Sequence, residues 1–365
     1  MSRKFFRPIK KIVIKVGSSV MATHTKSRRV PYLKSLVHQI SAANAQGLDV
    51  VLVSSGAIVL GMVELGLKVR PSDVASLQAL AAIGQAVLMK NYSDLFKKAK
   101  TKCAQVLLTW DDFDSRHRYN NARHTLAALL ERRVIPVVNE NDTISTEEIK
   151  FGDNDKLSAF VASLIGADLL IILSDVEGFY DLQSGKKEIF REVKEITKEI
   201  EGLAGGTEKK HISTGGMSAK LQAIKIATHA NIPCIIANWQ TKDVLSKILQ
   251  GDRIGTFFME KEEKLLARRH WISFGAKPKG RLVVDEGAKN ALLNGGRSLL
   301  LPGVLKWEGH FRPDEVVVIC DQQGEEIARG IINYAAADLE RLKGANDKRG
   351  QKEAIHRDDL VLCKR

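Results

Sequence analysis

The stretch KLSAFVASLIGADLLIILSD, residues 156–175, carries two periods in succession. Leu157, Phe160, Val161, Leu164 and Ile165 recur at i, i+3, i+4, i+7 and i+8, one apolar face of a helix. The run DLLIIL (168–173) that follows is continuously apolar after its first residue, which marks a strand buried on both faces. Working outward, the same strand signal returns in IVIKV (12–16), LDVVLV (48–53), CAQVLL (103–108), VIPVV (134–138) and IPCIIA (232–237), with helical-period segments between. Such alternation predicts an α/β fold, a three-layer sandwich with a mainly parallel sheet.

The charged interruption EKEEK (260–264) closes that pattern, so the first domain is expected over residues 1–262 and a linker over 263–278. Beyond it come shorter runs with turn residues: GRLVVDEG (280–287), GGRSLLLPG (295–303) and EVVVICDQQGEEIARG (315–330). They predict a small β-barrel-like domain over 279–360, to which HRDDLVLC (356–363) returns as a final strand.

The 365 residues are 44% hydrophobic and 27% charged, which excludes a disordered chain or a disulfide scaffold. Apolar runs are strand-sized, far below the ~18 residues of a membrane span. Cys103, Cys234, Cys320 and Cys363 lack C-x-x-C spacing, which fits reduced thiols, a cytoplasmic location and no structural zinc. The basic opening is followed by an apolar run that Lys15 cuts, so no export signal is read. The formal charge of +13 is concentrated at the N-terminus, because ten of the 56 Lys and Arg precede Asp49, the first acidic residue. Such an arm is either solvated or a contact for nucleic acid or acidic substrates.

Ligands of open α/β sheets bind beyond the carboxyl ends of the strands, so the loops after these runs are where chemistry is expected. The first run ends Lys15-Val16-Gly17-Ser18-Ser19, either a lysine and glycine at a ligand or a plain strand end with its turn. No G-x-x-x-x-G-K-[ST] occurs, which excludes a P-loop. Ser54-Ser55-Gly56-Ala57 suits an anion site or a helix N-cap. Asn139-Glu140-Asn141-Asp142 and Gly152-Asp153-Asn154-Asp155 place carboxylates and amides densely enough for a small zwitterion, with Asp153 or Asn154 also capping the helix. Ser174-Asp175 ends the strand at 168–173, where a nucleotide ribose or base, or an Asx turn, would lie. Thr214-Gly215-Gly216-Met217-Ser218-Ala219-Lys220 places a glycine pair before a helix and a lysine one turn in, a polyphosphate cradle. Phosphoryl transfer requires positioning and positive charge with little covalent chemistry, and two lysines with glycine-rich anion sites meet that demand.

The ordered set IKVGSS, VSSGAI, VVNENDTIS, KFGDNDKLSAFVA, ILSDVEGFYD and TGGMSAKLQAIKIA resembles the glutamate 5-kinases of the amino acid kinase superfamily. WISFGAKPKGRLVVDEGA (271–288) and the strands after it are similar to a PUA domain. The resemblance implies ATP-dependent phosphorylation of the γ-carboxylate of L-glutamate, the first step of L-proline biosynthesis, with Mg²⁺ and feedback inhibition by proline. Carried over by motif, Lys15, Asp155 and Lys220 are catalytic, Asp155 orienting the lysines; Ser55, Asp142 and Asn154 hold glutamate. Lys15, Ser174, Asp175, Thr214, Gly215, Gly216, Met217, Ser218, Ala219 and Lys220 hold ATP, and no residue is assigned to the metal. Ser18, Ser54, Ser174 and Ala219 stand where the family often has Thr. A homo-oligomer, a glutamyl phosphate reductase partner and RNA at the PUA domain are further implications. Residues 266–365 hold 18 Lys and Arg against 14 Asp and Glu, a weak footprint for RNA. A related amino acid or carbamate kinase and an RNA-binding scaffold are the competing readings.

Overall fold

The computed structural model describes residues 3, 5, 7–22, 26–145, 154–180, 188–204, 216–260, 272, 278–343 and 353–363. It separates into two compact units, Met1–Trp110 with Asn121–Lys264, and Asp111–Asn120 with Leu265–Arg365. The ten residues 111–120 thus group with the C-terminal unit, a long-range association that no boundary drawn along the sequence anticipates.

In the first unit the strands are β1 (Lys11–Val16), β2 (Asp49–Ser54), β3 (Lys102–Leu108), β4 (Val134–Glu140), β5 (Leu169–Ser174), β6 (Glu192–Val193), β7 (Cys234–Asn238) and β8 (Thr256–Phe258). They form one sheet in the order β3-β4-β2-β1-β5-β7-β8-β6, parallel except where β8 runs against β7. Its helices are α1 (Ser18–Ala22), α2 (Lys26–Ala45), α3 (Ala57–Glu64), α4 (Val74–Lys98), most of α6 (Arg116–Glu131), α7 (Asn154–Ile165), α8 (Lys198–Ala204), α9 (Met217–His229) and α10 (Val244–Leu249); α5 (Asp111–Asp114) belongs to the other unit. Each of the six long apolar runs is a strand, and the helix expected from Leu157 to Ile165 is α7. α7 is buried more completely than one apolar face requires, because Ser158, Ala159 and Ala162 are small enough to be enclosed too.

The period of two along β1 decides the layers. Ile12, Ile14 and Val16 pack with Leu36 and Ile40 of α2, Leu88 and Tyr92 of α4, and Leu245 of α10. Val13 and Lys15 therefore turn to the opposite face, where Lys15 meets α7. Register aligns the strand ends: Ser54 lies beside Val16, Leu173 beside Val16 on its other side, and Asn238 beside Ser174. One level of the sheet thus carries the ends of β2, β1, β5 and β7.

Glycine sets how closely α3 and α4 pack. A Cβ on Gly84 would stand 1.7 Å from Ala57 O and 2.5 Å from Gly61 N, and one on Gly61 2.0 Å from Leu80 O. Backbone cannot yield as a side-chain tip would. Gly84→Ala is expected to destabilise the fold by about 3 kcal/mol, at the upper end of overpacking costs, as read from urea unfolding. An unchanged midpoint would show that the helices separate without cost.

The basic N-terminal segment is not a solvated arm at its arginines. Arg7 donates to Asn231 O and lies 3.9 Å from Asp168 Oδ1. Arg3 lies over the Phe257 ring, 5.0 Å from its centroid, and donates to Ile254 O at 3.3 Å. These residues fasten the first strand's lead-in to the first unit.

The second unit contains β9 (Gly280–Val284), α11 (Glu286–Leu293), β10 (Val304–Gly309), β11 (Val316–Cys320), β12 (Glu326–Ile331), α12 (Ala336–Lys343) and β13 (Leu360–Leu362). Its sheet runs β10-β9-β11-β12-β13 around Leu282, Val284, Val317 and Ile319. β13 is the strand expected from HRDDLVLC. GGRSLLLPG contributes a single antiparallel bridge, Leu299 with Ile355, and no longer strand: Leu301–Gly303 is a 3-10 turn, because Pro302 has no N–H for a ladder. No helix among the described residues is long and apolar enough to cross a membrane.

Candidate active site

Asp155 occupies the first turn of α7 and is fully buried. Lys15, near the end of β1, pairs with its Oδ1, and Lys220 Nζ, from the first turns of α9, stands 3.2 Å from Oδ2. Both lysines are themselves buried. Burial pushes the Asp155 carboxyl up, but the charges and hydrogen bonds of Lys15 and Lys220 outweigh it and hold the group below the ordinary carboxylate range. Two ammonium groups on one carboxylate leave this corner with an excess positive charge, beside the positive end of α7. Withdrawn from water, such an excess calls for an anion.

Asn154, the first residue of α7, is fully enclosed and does not spend its side chain on capping. Its Nδ2 instead lies 3.0 Å from Ser54 O, 2.8 Å from Ser55 Oγ and 2.8 Å from Asn139 Oδ1. Asp153, the other candidate cap, lies outside the described residues. The N-cap reading of the Ser54-Ser55 turn also fails, because Gly56 is the cap of α3, at φ +102° and without a side-chain bond. A Cβ at Gly56 would press within 2.7 Å of Met21, so both conformation and space require glycine. Ser54 Oγ is instead paired with Tyr92 OH at 3.0 Å, which leaves Ser55 Oγ facing α7.

Asp142 is buried in the turn after β4, while Glu140 accepts from Ser145 Oγ and so anchors that turn. At the end of β5, Ser174 is buried and donates to Asp175 Oδ1 at 3.0 Å, with Asp175 exposed. Beside it Asn238 donates to Glu177 Oε1 at 2.6 Å, and Phe179 N–H donates to Thr256 Oγ1 at 2.8 Å, tying this loop to β7 and β8. Gly216 caps α9 without a side-chain bond and is exposed, with open space where a Cβ would stand. The first-turn N–H groups of Met217, Ser218 and Ala219 have no partner within the helix, since an α-helix leaves such donors over. Thr214 and Gly215 lie outside the described residues.

The structure therefore joins Lys15, Asp155 and Lys220 directly, and Ser55 with Asn154. It places Ser174 one strand from Lys15. Two further polar side chains at this site, Asn238 and Gln85, went unread in the sequence. Asn238 merely ends a strand, and Gln85 lies mid-helix without a motif; Asn139 donates to it at 2.9 Å.

The profile of the Amino acid kinase family matches residues 10–238, and that of the PUA domain residues 280–352. A glutamate 5-kinase of Syntrophotalea carbinolica is 44% identical over 375 residues, covering 100% of both chains. That of Dictyoglomus turgidum is 45% identical over 98% of each chain. The chain belongs to the glutamate 5-kinases of the amino acid kinase family. A third glutamate 5-kinase, from Thermoanaerobacter sp. strain X514, is 42% identical over 97% of this chain and 98% of its own. Among solved structures, N-acetylglutamate synthase from Neisseria gonorrhoeae, complexed with coenzyme A and N-acetyl-glutamate, aligns at TM-score 0.51 and 14% identity. It covers 70% of this chain and 60% of that one, a likeness of fold alone. The amino acid kinase match accounts for the mainly parallel sheet, and the PUA match for the second sheet.

Proposed function

We propose that the corner around Asp155 transfers the γ-phosphoryl group of ATP to the γ-carboxylate of L-glutamate, the reaction that opens proline synthesis. The observation that carries this reading is the pair of buried lysines converging on one carboxylate beside the start of α7. A carboxylate oxygen of glutamate attacks the γ-phosphorus, the bond from that phosphorus to the ADP oxygen breaks, and γ-glutamyl phosphate and ADP result. The nucleophile is ionised at neutral pH, so no general base is needed.

Lys15 and Lys220 flank the transferring group and offset its charge, and Asp155 holds both ammonium groups at a fixed separation. ATP lies along Ser174, Asp175 and the open start of α9, whose first-turn N–H groups donate to its phosphates. Ser55, Asn154 and Asp142 hold glutamate, with Asp142 taking its ammonium. Mg²⁺ is commonly held through substrate phosphates rather than in a protein cage, so this donor set suits it; when bound it neutralises phosphate charge. Lys15, Lys220 and the α9 N–H groups would meet the phosphate oxygens that the ion leaves free.

The test is ADP release with L-glutamate, ATP and Mg²⁺, with hydroxylamine trapping the acyl phosphate as γ-glutamyl hydroxamate, against aspartate, carbamate and UMP. Hydroxamate from glutamate alone is expected. Turnover with another acceptor only would overturn the substrate, and no turnover with any would overturn the kinase reading.

A further inference from the structure

The hydrogen bonds of Asn154 continue into a chain of amides with a fixed direction. A backbone carbonyl accepts and never donates, so Ser54 O dictates that Nδ2 of Asn154 faces it at 3.0 Å. The same Nδ2 then meets Asn139 Oδ1 at 2.8 Å, which turns Asn139 Nδ2 toward Gln85 Oε1 at 2.9 Å. Every amide orientation follows from that first carbonyl. Two atoms are left over, Asn154 Oδ1 at one end and Gln85 Nε2 at the other, both shielded from water with no hydrogen-bond partner among the described residues. One is an acceptor and the other a donor. A buried polar group without a partner costs ~1–3 kcal/mol, which a ligand of the right polarity would offset.

An α-amino acid carries the matching pair, an ammonium and a carboxylate on one carbon. Asn154 adjoins Asp155, the carboxylate that holds the two lysines, whereas Gln85 lies two hydrogen bonds further along the amide chain. A carboxylate at the Gln85 end is thus the one remote from the phosphoryl group. Gln85 is held at this end by Gly84, which lets α4 abut Ala57, two residues after Ser55.

We propose that Gln85 determines specificity in the glutamate subsite, its Nε2 donating to the substrate's α-carboxylate. This rests on the reading in which Ser55 and Asn154 hold glutamate. Sites built to hydrogen-bond a substrate group discriminate strongly against analogues that lack it.

The test compares kcat and KM for L-glutamate, for ATP and for 4-aminobutanoate, which keeps the reacting carboxylate and lacks the α-carboxylate. Gln85→Leu is expected to raise the glutamate KM about tenfold or more, leave the ATP KM within about twofold, and shrink the preference for glutamate over 4-aminobutanoate about tenfold. Gln85→Glu keeps the acceptor for Asn139 while replacing the donor with a like charge, so its glutamate KM should rise further; it carries the test if Gln85→Leu fails to fold. A glutamate KM within about twofold of wild type in Gln85→Glu, or an equal loss on both acceptors, would overturn the proposal. Asn154→Ala separates the two levels: an unmoved glutamate KM there sinks the subsite reading itself, whereas a raised one with unmoved Gln85 variants sinks the Gln85 role alone.

Discussion

Asp155→Asn is expected to cost the protein both its stability and its turnover. The substitution is nearly isosteric but removes the only charge balancing Lys15 and Lys220 in the triad, leaving two buried ammonium groups beside a neutral amide. Breaking a buried ion pair by removing one partner costs about 3–5 kcal/mol, because the survivors keep their desolvation penalty. Mutual repulsion would also drive the lysines apart, so kcat should fall at least ~100-fold. Asp155 is held below the ordinary carboxylate range in the folded state, so its contribution is fully present above the unfolded value of about 3.9. It is lost as pH falls through the lower folded value. Urea unfolding of wild type and variant should therefore differ by a constant amount from about pH 5 to 8 and converge only in stronger acid. Equal stability at neutral pH would show that the triad is not what holds α7 to β1.

Lys220→Ala makes a different prediction from the same geometry. Here Lys15 and Asp155 remain as a balanced pair, so the fold should lose far less than in Asp155→Asn. Catalysis should not be spared. Removing a donor that acts on charge developing in the transition state costs about 3–4 kcal/mol, or ~10²–10³ in kcat. The glutamate KM should stay close to wild type, since Lys220 enters from α9, whose start is proposed to hold ATP, rather than from the Ser55–Asn154 cluster. The measurement is steady-state hydroxamate formation with each substrate varied in turn. Near-wild-type turnover would remove Lys220 from the reaction.

Much of the fold was legible because its rules are local. The apolar runs became β1 to β5 and β7: the inner strands are covered on both faces, while β3, at the sheet edge, is only partly buried. The family motifs placed Lys15, Asp155 and Lys220 as a working set, and geometry joins them at one carboxylate. What sequence left open was which of two readings a polar residue would take. Ser54-Ser55 could have capped a helix, yet a glycine caps it and the serines serve other partners.

The basic start read as either a solvated arm or a contact for nucleic acid or acidic substrates, yet Arg3 and Arg7 are tied to the first unit. Residues 111–120 joined a unit whose remaining chain begins 145 residues later, at Leu265. Gln85 carried no motif at all, because its meaning arises only when Gly84 lets α4 close on α3 and brings it to Asn139. By itself the sequence determined the layered α/β sheet and the β-rich second unit, through periodicity that acts over a few residues, and its family motifs singled out Lys15, Asp155 and Lys220 as candidates for phosphoryl transfer. Only tertiary structure decided the partners of each buried polar group, because a hydrogen bond is chosen by what lies within 3 Å, however distant it is along the chain.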